Sequence, residues 1–155
     1  MSYFHEEQQF RQRWIWTLLA IAALPVLVVV AIRGPVLSVL IIPLILLAVG
    51  VLLAFARLVV DVDREAITVA FHFLWPKRRI LISEVRKAEA TKYSPLLDYG
   101  GYGVRLGFRG WAWTVSGNEG VLVETNDGSR LMIGSRRPKE LEAAIARGRI
   151  DRQGA

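Results

Sequence analysis

The chain has 155 residues and a formal net charge of +6, enough length for one small domain beside its apolar segments. It contains no cysteine, which excludes disulfides, thiol catalysis and cysteine metal sites but sets no compartment. Residues 58–155 hold 16 Lys/Arg against 12 Asp/Glu, too mild an excess to imply nucleic acid, though it suits a domain near anionic headgroups.

Residues 1–13 are polar with scattered aromatics and read as a cytoplasmic segment. Trp14–Ile32 is then 19 residues without a charge, and Gly34–Ala56 another 23. At about 1.5 Å per residue each run is long enough for the roughly 30 Å hydrocarbon core of a bilayer. The reading is a transmembrane hairpin over 14–57, with helices near 14–32 and 35–57. A cleaved signal peptide is the alternative, since Ala20-Ile21-Ala22 resembles a cleavage site. Against it, Glu6 and Glu7 are foreign to a signal n-region and the apolar run continues past Ala22. Trp14 and Trp16 suit the headgroup level. Pro25 and Pro43 predict kinks, or a shallow re-entrant wedge that never crosses.

Arg33-Gly34-Pro35 forms the connector. Gly34 is expected at positive φ to end the first helix, and Pro35 in the first turn of the second. Arg33 is the only charge at that tip, whereas Arg11, Arg13, Arg57 and Arg64 flank the other end, with Lys77, Arg78 and Arg79 soon after. The positive-inside rule then places a multi-pass protein in the cell membrane with both termini cytoplasmic. Neither uncharged run holds an ionisable residue, and Thr17 and Ser38 are their hydroxyls, so transport by this chain alone is not indicated.

From Leu58 the apolar period becomes two. Leu58–Asp63 reads as a strand and Asp63-Arg64-Glu65 as a turn. Ile67, Val69, Phe71 and Phe73 form the buried face of a second strand, which Trp75-Pro76-Lys77 breaks. Short strands follow at Arg79–Ile82, Lys87–Tyr93, Tyr102–Leu106, Trp111–Val115, Val121–Thr125 and Arg130–Ile133. Ser83-Glu84-Val85 is a single turn and Ser94–Gly101 a loop. Further turns fall at Phe108-Arg109-Gly110, Gly117-Asn118-Glu119-Gly120 and Asn126-Asp127-Gly128, where Asp-Gly supplies positive φ. Pro138 opens a last helix, Leu141, Ala144 and Ile145 form its apolar stripe, and Gly148 is its expected stop. The domain is placed at 58–150 and a tail at 151–155.

Seven or eight antiparallel strands with a C-terminal capping helix resemble a pleckstrin-homology fold. The runs Tyr93-Ser94-Pro95, Tyr99 to Arg105, Val115 to Val121 and Asp127 to Pro138 also resemble small, uncharacterised bacterial membrane proteins. Those have two N-terminal spans and a pleckstrin-homology-like domain. The resemblance covers about residues 58–147. It implies a fold and a membrane address, and no catalytic or ligand residues.

Little in the sequence points to catalysis. His5 and His72 are isolated and make no metal set. Gly100-Gly101-Tyr102-Gly103 leads into a strand, whereas a phosphate-cradling loop needs a helix N-terminus. The expected catalytic, metal and cofactor residues are therefore none. Two other sets are candidates. Lys77, Arg78, Arg79, Arg136, Arg137 and Lys139 are candidate contacts to anionic lipid. Tyr99, Tyr102, Trp111 and Trp113 are candidate partner-binding residues, since Tyr and Trp anchor interfaces. The favoured function is a membrane-anchored, non-enzymatic interaction module for a protein partner, anionic lipid or both. The alternatives are an accessory subunit acting through its spans, with Ala20, Ala23, Ala48 and Gly50 as small-residue hints, and, less favoured, an enzyme. Oligomeric state is not indicated.

Overall fold

The computed structural model describes residues 2–9, 13–72, 75–107 and 110–153. They form two compact units, and the chain enters the first of them twice. One unit joins residues 2–9 to everything from Arg57 onward, and the other is 10–56.

The expected helical hairpin followed by a pleckstrin-homology-like domain is overturned. Among the described residues there are nine strands in two sheets, of four and five. The first strand, β1 (Ser2–Gln9), precedes both long helices, within the N-terminal segment that the sequence reading places outside the domain. One strand pair of the second sheet is parallel. Only Leu37–Phe55, 19 residues, is long and apolar enough to cross a membrane among the described residues. The apolar part of the preceding helix, Leu19–Arg33, is shorter.

The first sheet runs β1, β2 (Arg57–Asp63), β3 (Ala66–His72), β4 (Trp75–Leu81), each antiparallel to its neighbour. Its register explains its core. Phe4, Glu6 and Gln8 stand opposite Val62, Val60 and Leu58, which stand opposite Ile67, Val69 and Phe71. All nine are buried, while Thr68 and Ala70 are half-buried and His72 is exposed. The period-two pattern of β3 is therefore a true inside–outside alternation. The Trp75-Pro76-Lys77 break is instead the start of β4. Pro76 is tolerated there because β4 is an edge strand and one ladder donor can be lost.

The second sheet has the order β5 (Val85–Lys92), β8 (Glu119–Thr125), β9 (Arg130–Gly134), β7 (Gly110–Thr114), β6 (Gly103–Gly107). Trp113 lies beside Ile133, and Ile133 beside Val121; all three are buried. A 3-10 turn, Ile82–Glu84, joins the sheets in sequence. The helix α4 (Pro138–Gln153) packs on β1 and β2 of one sheet and on β5 and β8 of the other, with Leu141, Ala144 and Ile145 fully or nearly buried. Gly148 does not stop this helix. It continues the buried stripe one turn on, where an added Cβ would lie 3.4 Å from the Asp63 carbonyl oxygen and from Ile82 Cδ1. The missing side chain serves close packing and not termination.

Local turns follow the chemistry of their side chains. Asp63 Oδ1 accepts from the Glu65 and Ala66 N–H groups at 2.7 Å each, which closes the β2–β3 turn and lowers the Asp63 pKa. Gly128 has φ +83 in the β8–β9 turn, and Gly100 has φ +70. The expected loop before Gly100 contains a short helix, α3 (Pro95–Tyr99), whose first turn is capped by Ser94 Oγ accepting from the Leu97 N–H at 3.4 Å.

The helical unit contains α1 (Arg13–Arg33) and α2 (Val36–Phe55). Gly34 is not at positive φ; it is needed because an added Cβ would lie 2.5 Å from the Val30 carbonyl oxygen. Pro35 precedes the first turn of α2 and does not belong to it. Its carbonyl accepts from the Ser38 N–H at 2.9 Å and the Ser38 hydroxyl at 2.7 Å. Trp16 packs toward Gly50, where α1 and α2 touch. Most large apolar side chains of both helices are uncovered, Leu40 being 68% exposed. Arg11, Phe73, Phe108, Arg109 and Ala155 lie outside the described residues, as do the side chains of Arg13 and Trp14.

Candidate functional site

The N-terminal strand carries the least expected side chains of the β unit. Glu6 and Gln8 point inward on β1 and are only 6% and 1% exposed. Buried polar groups need partners, and these have them. Glu6 accepts from Ser135 Oγ at 2.6 Å, the Arg136 N–H at 2.9 Å and Gln8 Nε2 at 3.3 Å. Gln8 Nε2 also donates to the Gly134 carbonyl at 2.9 Å, and Ser116 Oγ donates to Gln8 Oε1 at 3.4 Å. Arg137 completes the fastening: its guanidinium lies 4.9 Å from the Phe4 ring centroid, donates to the His5 carbonyl at 2.8 Å and pairs with Glu140 at 3.1 Å. The clasp ties β1 to the end of β9 and the start of α4.

On the opposite face of β1, His5 Nδ1 meets Asp61 Oδ1 at 2.6 Å across the β1–β2 ladder. That hydrogen bond and the Asp61 charge raise the His5 pKa. Tyr3 donates to Asp151 near the end of α4, and Arg64 Nε donates to the Tyr3 hydroxyl at 3.1 Å. β1 is thus held from both faces. In sequence, both helices come between β1 and the strand it pairs with.

The candidate lipid contacts divide by what already occupies them. Lys77, Arg78 and Arg79 lie on the edge strand β4 and not on a turn. Arg79 pairs with Glu65 at 3.0 Å. Lys77 and Arg78 form no ion pair among the described residues, and Trp75 beside them is exposed. Arg137 is committed to Phe4, His5 and Glu140, whereas the exposed side chains of Arg136 and Lys139 form no ion pair among the described residues.

The candidate partner residues also divide. Tyr99 and Trp113 are buried. Tyr99 packs edge-on against Tyr93 at 6.0 Å, in a cluster with Ala112 and Met132. Burial raises the Tyr93 pKa. Tyr102 is half-buried and donates to the Gly117 carbonyl at 3.1 Å. Trp111 stays at the surface, 37% exposed, opposite the exposed Leu106 of edge strand β6. Sequence reasoning missed Leu96 and Leu97 of α3, both exposed, Leu97 at 83%. Two adjacent leucines between a proline and an aspartate were their signal.

Three clefts adjoin the 3-10 turn, α4 and the β8–β9 turn. One is lined by Arg78, Arg79, Glu84 and Asp127, among others. Asp127 is pulled down to about 2 by the Thr125 hydroxyl and by the Ser129 N–H and hydroxyl, so it stays charged there. A second holds Arg86, Arg149 and Arg152 and no carboxylate. The third sets Glu65 and Asp151 beside Arg64 and Arg152. Among the described residues no group of three or more His, Asp or Glu side chains is placed to hold a metal ion. No family profile and no curated protein matches the chain.

Proposed function

We propose that the chain is a non-enzymatic interaction module anchored in a membrane by residues 10–56. Its β unit is displayed at the cytoplasmic surface to bind a protein partner, anionic lipid or both. One observation carries this reading: Gln9 pairs with Arg57, so the chain leaves a sheet through α1 and rejoins the same sheet after α2. Strands that pair must lie on one side of a bilayer. If α2 crosses, α1 crosses back, and the β unit stays whole on one face. The uncovered apolar side chains of both helices supply the reason to cross, since a contiguous apolar surface of that size is not left in water. Arg33 alone at the connector, against Arg57 and Arg64 at the other end, favours the cytoplasm for the β unit. The resemblance to small bacterial membrane proteins agrees with this address; the fold it implied is set aside.

On this reading Lys77 and Arg78, with exposed Trp75 on the same edge strand, are the lipid contacts of choice. Each cation contributes about 1 kcal/mol near an anionic surface. Arg136 and Lys139 are the second group, and Trp111 is the partner-binding residue that remains at the surface. A single residue, Ala56, separates α2 from β2, so the surface is never far in sequence from the anchor.

The absence of native cysteine makes the test direct. Single cysteines at Arg33, Ser2 and Ala143 are probed in intact cells with a membrane-impermeant maleimide. Arg33→Cys is expected to label from outside, and Ser2→Cys and Ala143→Cys only after lysis. Labelling of Ala143→Cys in intact cells rejects the orientation. Arg33→Cys protected together with Ala143→Cys rejects two full crossings and leaves a re-entrant pair.

A second reading, an accessory subunit acting through its helices, draws on one feature. Ala20, Ala23 and Gly50 line a common apolar groove with Trp16 and Phe55. Small residues let a further transmembrane helix approach closely. Gly50→Leu would then release a membrane partner while leaving the β unit's melting temperature unchanged.

A further inference from the structure

We infer that the cleft between the last turns of α4 and the 3-10 turn is a binding site for a phosphate group, carried by a soluble phosphomonoester or by a lipid headgroup. The cleft has a volume of about 400 Å³ and is lined by Arg86, Arg149 and Arg152 together with Ser83. Two elements bring them together. Arg149 and Arg152 are three residues apart, hence neighbours on one face of α4, and α4 packs on β5, which carries Arg86.

Charge distinguishes this cleft from its neighbours. The cleft that shares Asn126 with it contains Glu84 and Asp127, and the cleft that shares Arg152 contains Glu65 and Asp151. Between these two mixed surfaces lies one lined by three arginines and no carboxylate, with Glu124 reaching only Arg86. Like charges so gathered repel, and an anion relieves that repulsion. Phosphate fits best, because guanidinium donors match its oxygens in pairs.

The site is also built on fixed parts. Arg86 Nη2 donates to Glu124 at 3.2 Å, which aims its guanidinium and offsets part of its charge. Arg149 and Arg152 have no ion pair among the described residues. Asn126 holds the turn below them, its N–H donating to the Glu84 carbonyl at 2.8 Å and its Nδ2 to the Ser83 carbonyl at 3.0 Å. Ile82 and Val85 form a buried apolar base. The Ser83 hydroxyl is left as a neutral donor. This site uses none of the residues assigned to lipid contact above. Its occupancy does not require the helices to cross a bilayer.

The experiment uses the full chain in nanodiscs of neutral phosphatidylcholine. Inorganic phosphate is titrated in one arm, and phosphatidic acid is mixed into the disc in the other. Hydrogen exchange of segment 82–86 and Asn126 reports occupancy. Saturable protection by inorganic phosphate assigns a soluble ligand class, and protection by phosphatidic acid alone assigns a headgroup; either supports the site. The double variant Arg149→Gln/Arg152→Gln is expected to weaken binding about tenfold or more. The charge-matched double variant Lys92→Gln/Arg105→Gln is expected to leave it unchanged. The proposal is overturned if neither probe protects these amides, if the first variant binds like the parent, or if both variants lose affinity equally. None of those outcomes bears on the cysteine-labelling result, so the two readings fail separately.

Discussion

Leu40 and Leu58 are the same side chain eighteen residues apart, and they end in opposite surroundings. Leu40 on α2 is 68% exposed, whereas Leu58 on β2 is fully buried. The contrast holds across both units. In the helices, the leucine rows face outward and backbone hydrogen bonds close within each helix. In the β unit, apolar rows from strands far apart in sequence face one another. The two units therefore differ in burial: the β unit makes its own interior, whereas most large apolar side chains of the helices are left uncovered. The polar chemistry is sorted in the same way, with every buried polar side chain seen in the β unit, Glu6 and Gln8 foremost.

The largest test of that contrast is a pair of truncations. Phe71→Ala removes a fully buried ring and is expected to destabilise the β unit by about 3–5 kcal/mol. Leu40→Ala removes an exposed side chain and is expected to change it by less than about 0.5 kcal/mol. Denaturant melts of the full chain in detergent, followed by tryptophan fluorescence, provide the comparison. Equal losses would mean that the helices have an interior of their own.

Next in size is the clasp. Glu6→Ala leaves the Ser135 hydroxyl and the Arg136 N–H without their acceptor in a buried place, at about 2–3 kcal/mol. Hydrogen exchange is expected to rise first in β1 and at the start of α4, and little in β6 and β7. Uniform loss of protection would show that β1 is not a separable fastening. Glu6→Gln, which keeps an acceptor, is expected to restore part of the stability.

A smaller effect is expected at Gly128, whose φ of +83 belongs to the left-handed region. An added Cβ meets nothing within 4 Å there, so the penalty of Gly128→Val is backbone strain alone, about 1–2 kcal/mol. A thermal melt reads it, and an unchanged melting temperature would mean that the β8–β9 turn relaxes freely.

The smallest effect concerns pH. His5 has a raised pKa in the folded chain because of Asp61. Its contribution is fully present below the ordinary value of 6.5 and is lost as pH rises through the raised value. The pair is exposed, so the contribution stays under about 1 kcal/mol. The melting temperature of the parent is expected to fall slightly more than that of His5→Gln between about pH 6 and about pH 8. A steeper fall in the variant would remove the pair from the account.

Features set by neighbours in sequence were legible. The alternation of Ile67, Val69 and Phe71, the Asp127-Gly128 turn and the Leu141, Ala144, Ile145 stripe each show in a window of a few residues. Those that failed depended on distant partners. Gly148 resembles a helix stop until Ile82 and Asp63 are seen against it. Trp75-Pro76-Lys77 resembles a break until β4 proves to be an edge. Tyr99 and Trp113 resemble an exposed aromatic cluster until both are seen to be buried, Tyr99 against Tyr93, Ala112 and Met132. The Arg86, Arg149 and Arg152 cleft joins residues far apart in sequence, and no local pattern marks it.

By itself the sequence determined where apolar helices form, where the period turns to two, and that Gly128 takes a left-handed turn, though not Gly34. All of these follow from the preferences of adjacent residues. Only the tertiary structure decided that Ser2–Gln9 is a strand. Its inward row is Phe4, Glu6 and Gln8, so no apolar alternation marks it. Its burial is stabilised by acceptors and donors on residues 116 and 134–136. A strand held by hydrogen bonds to the far end of the chain has its reason there, beyond the reach of any local window.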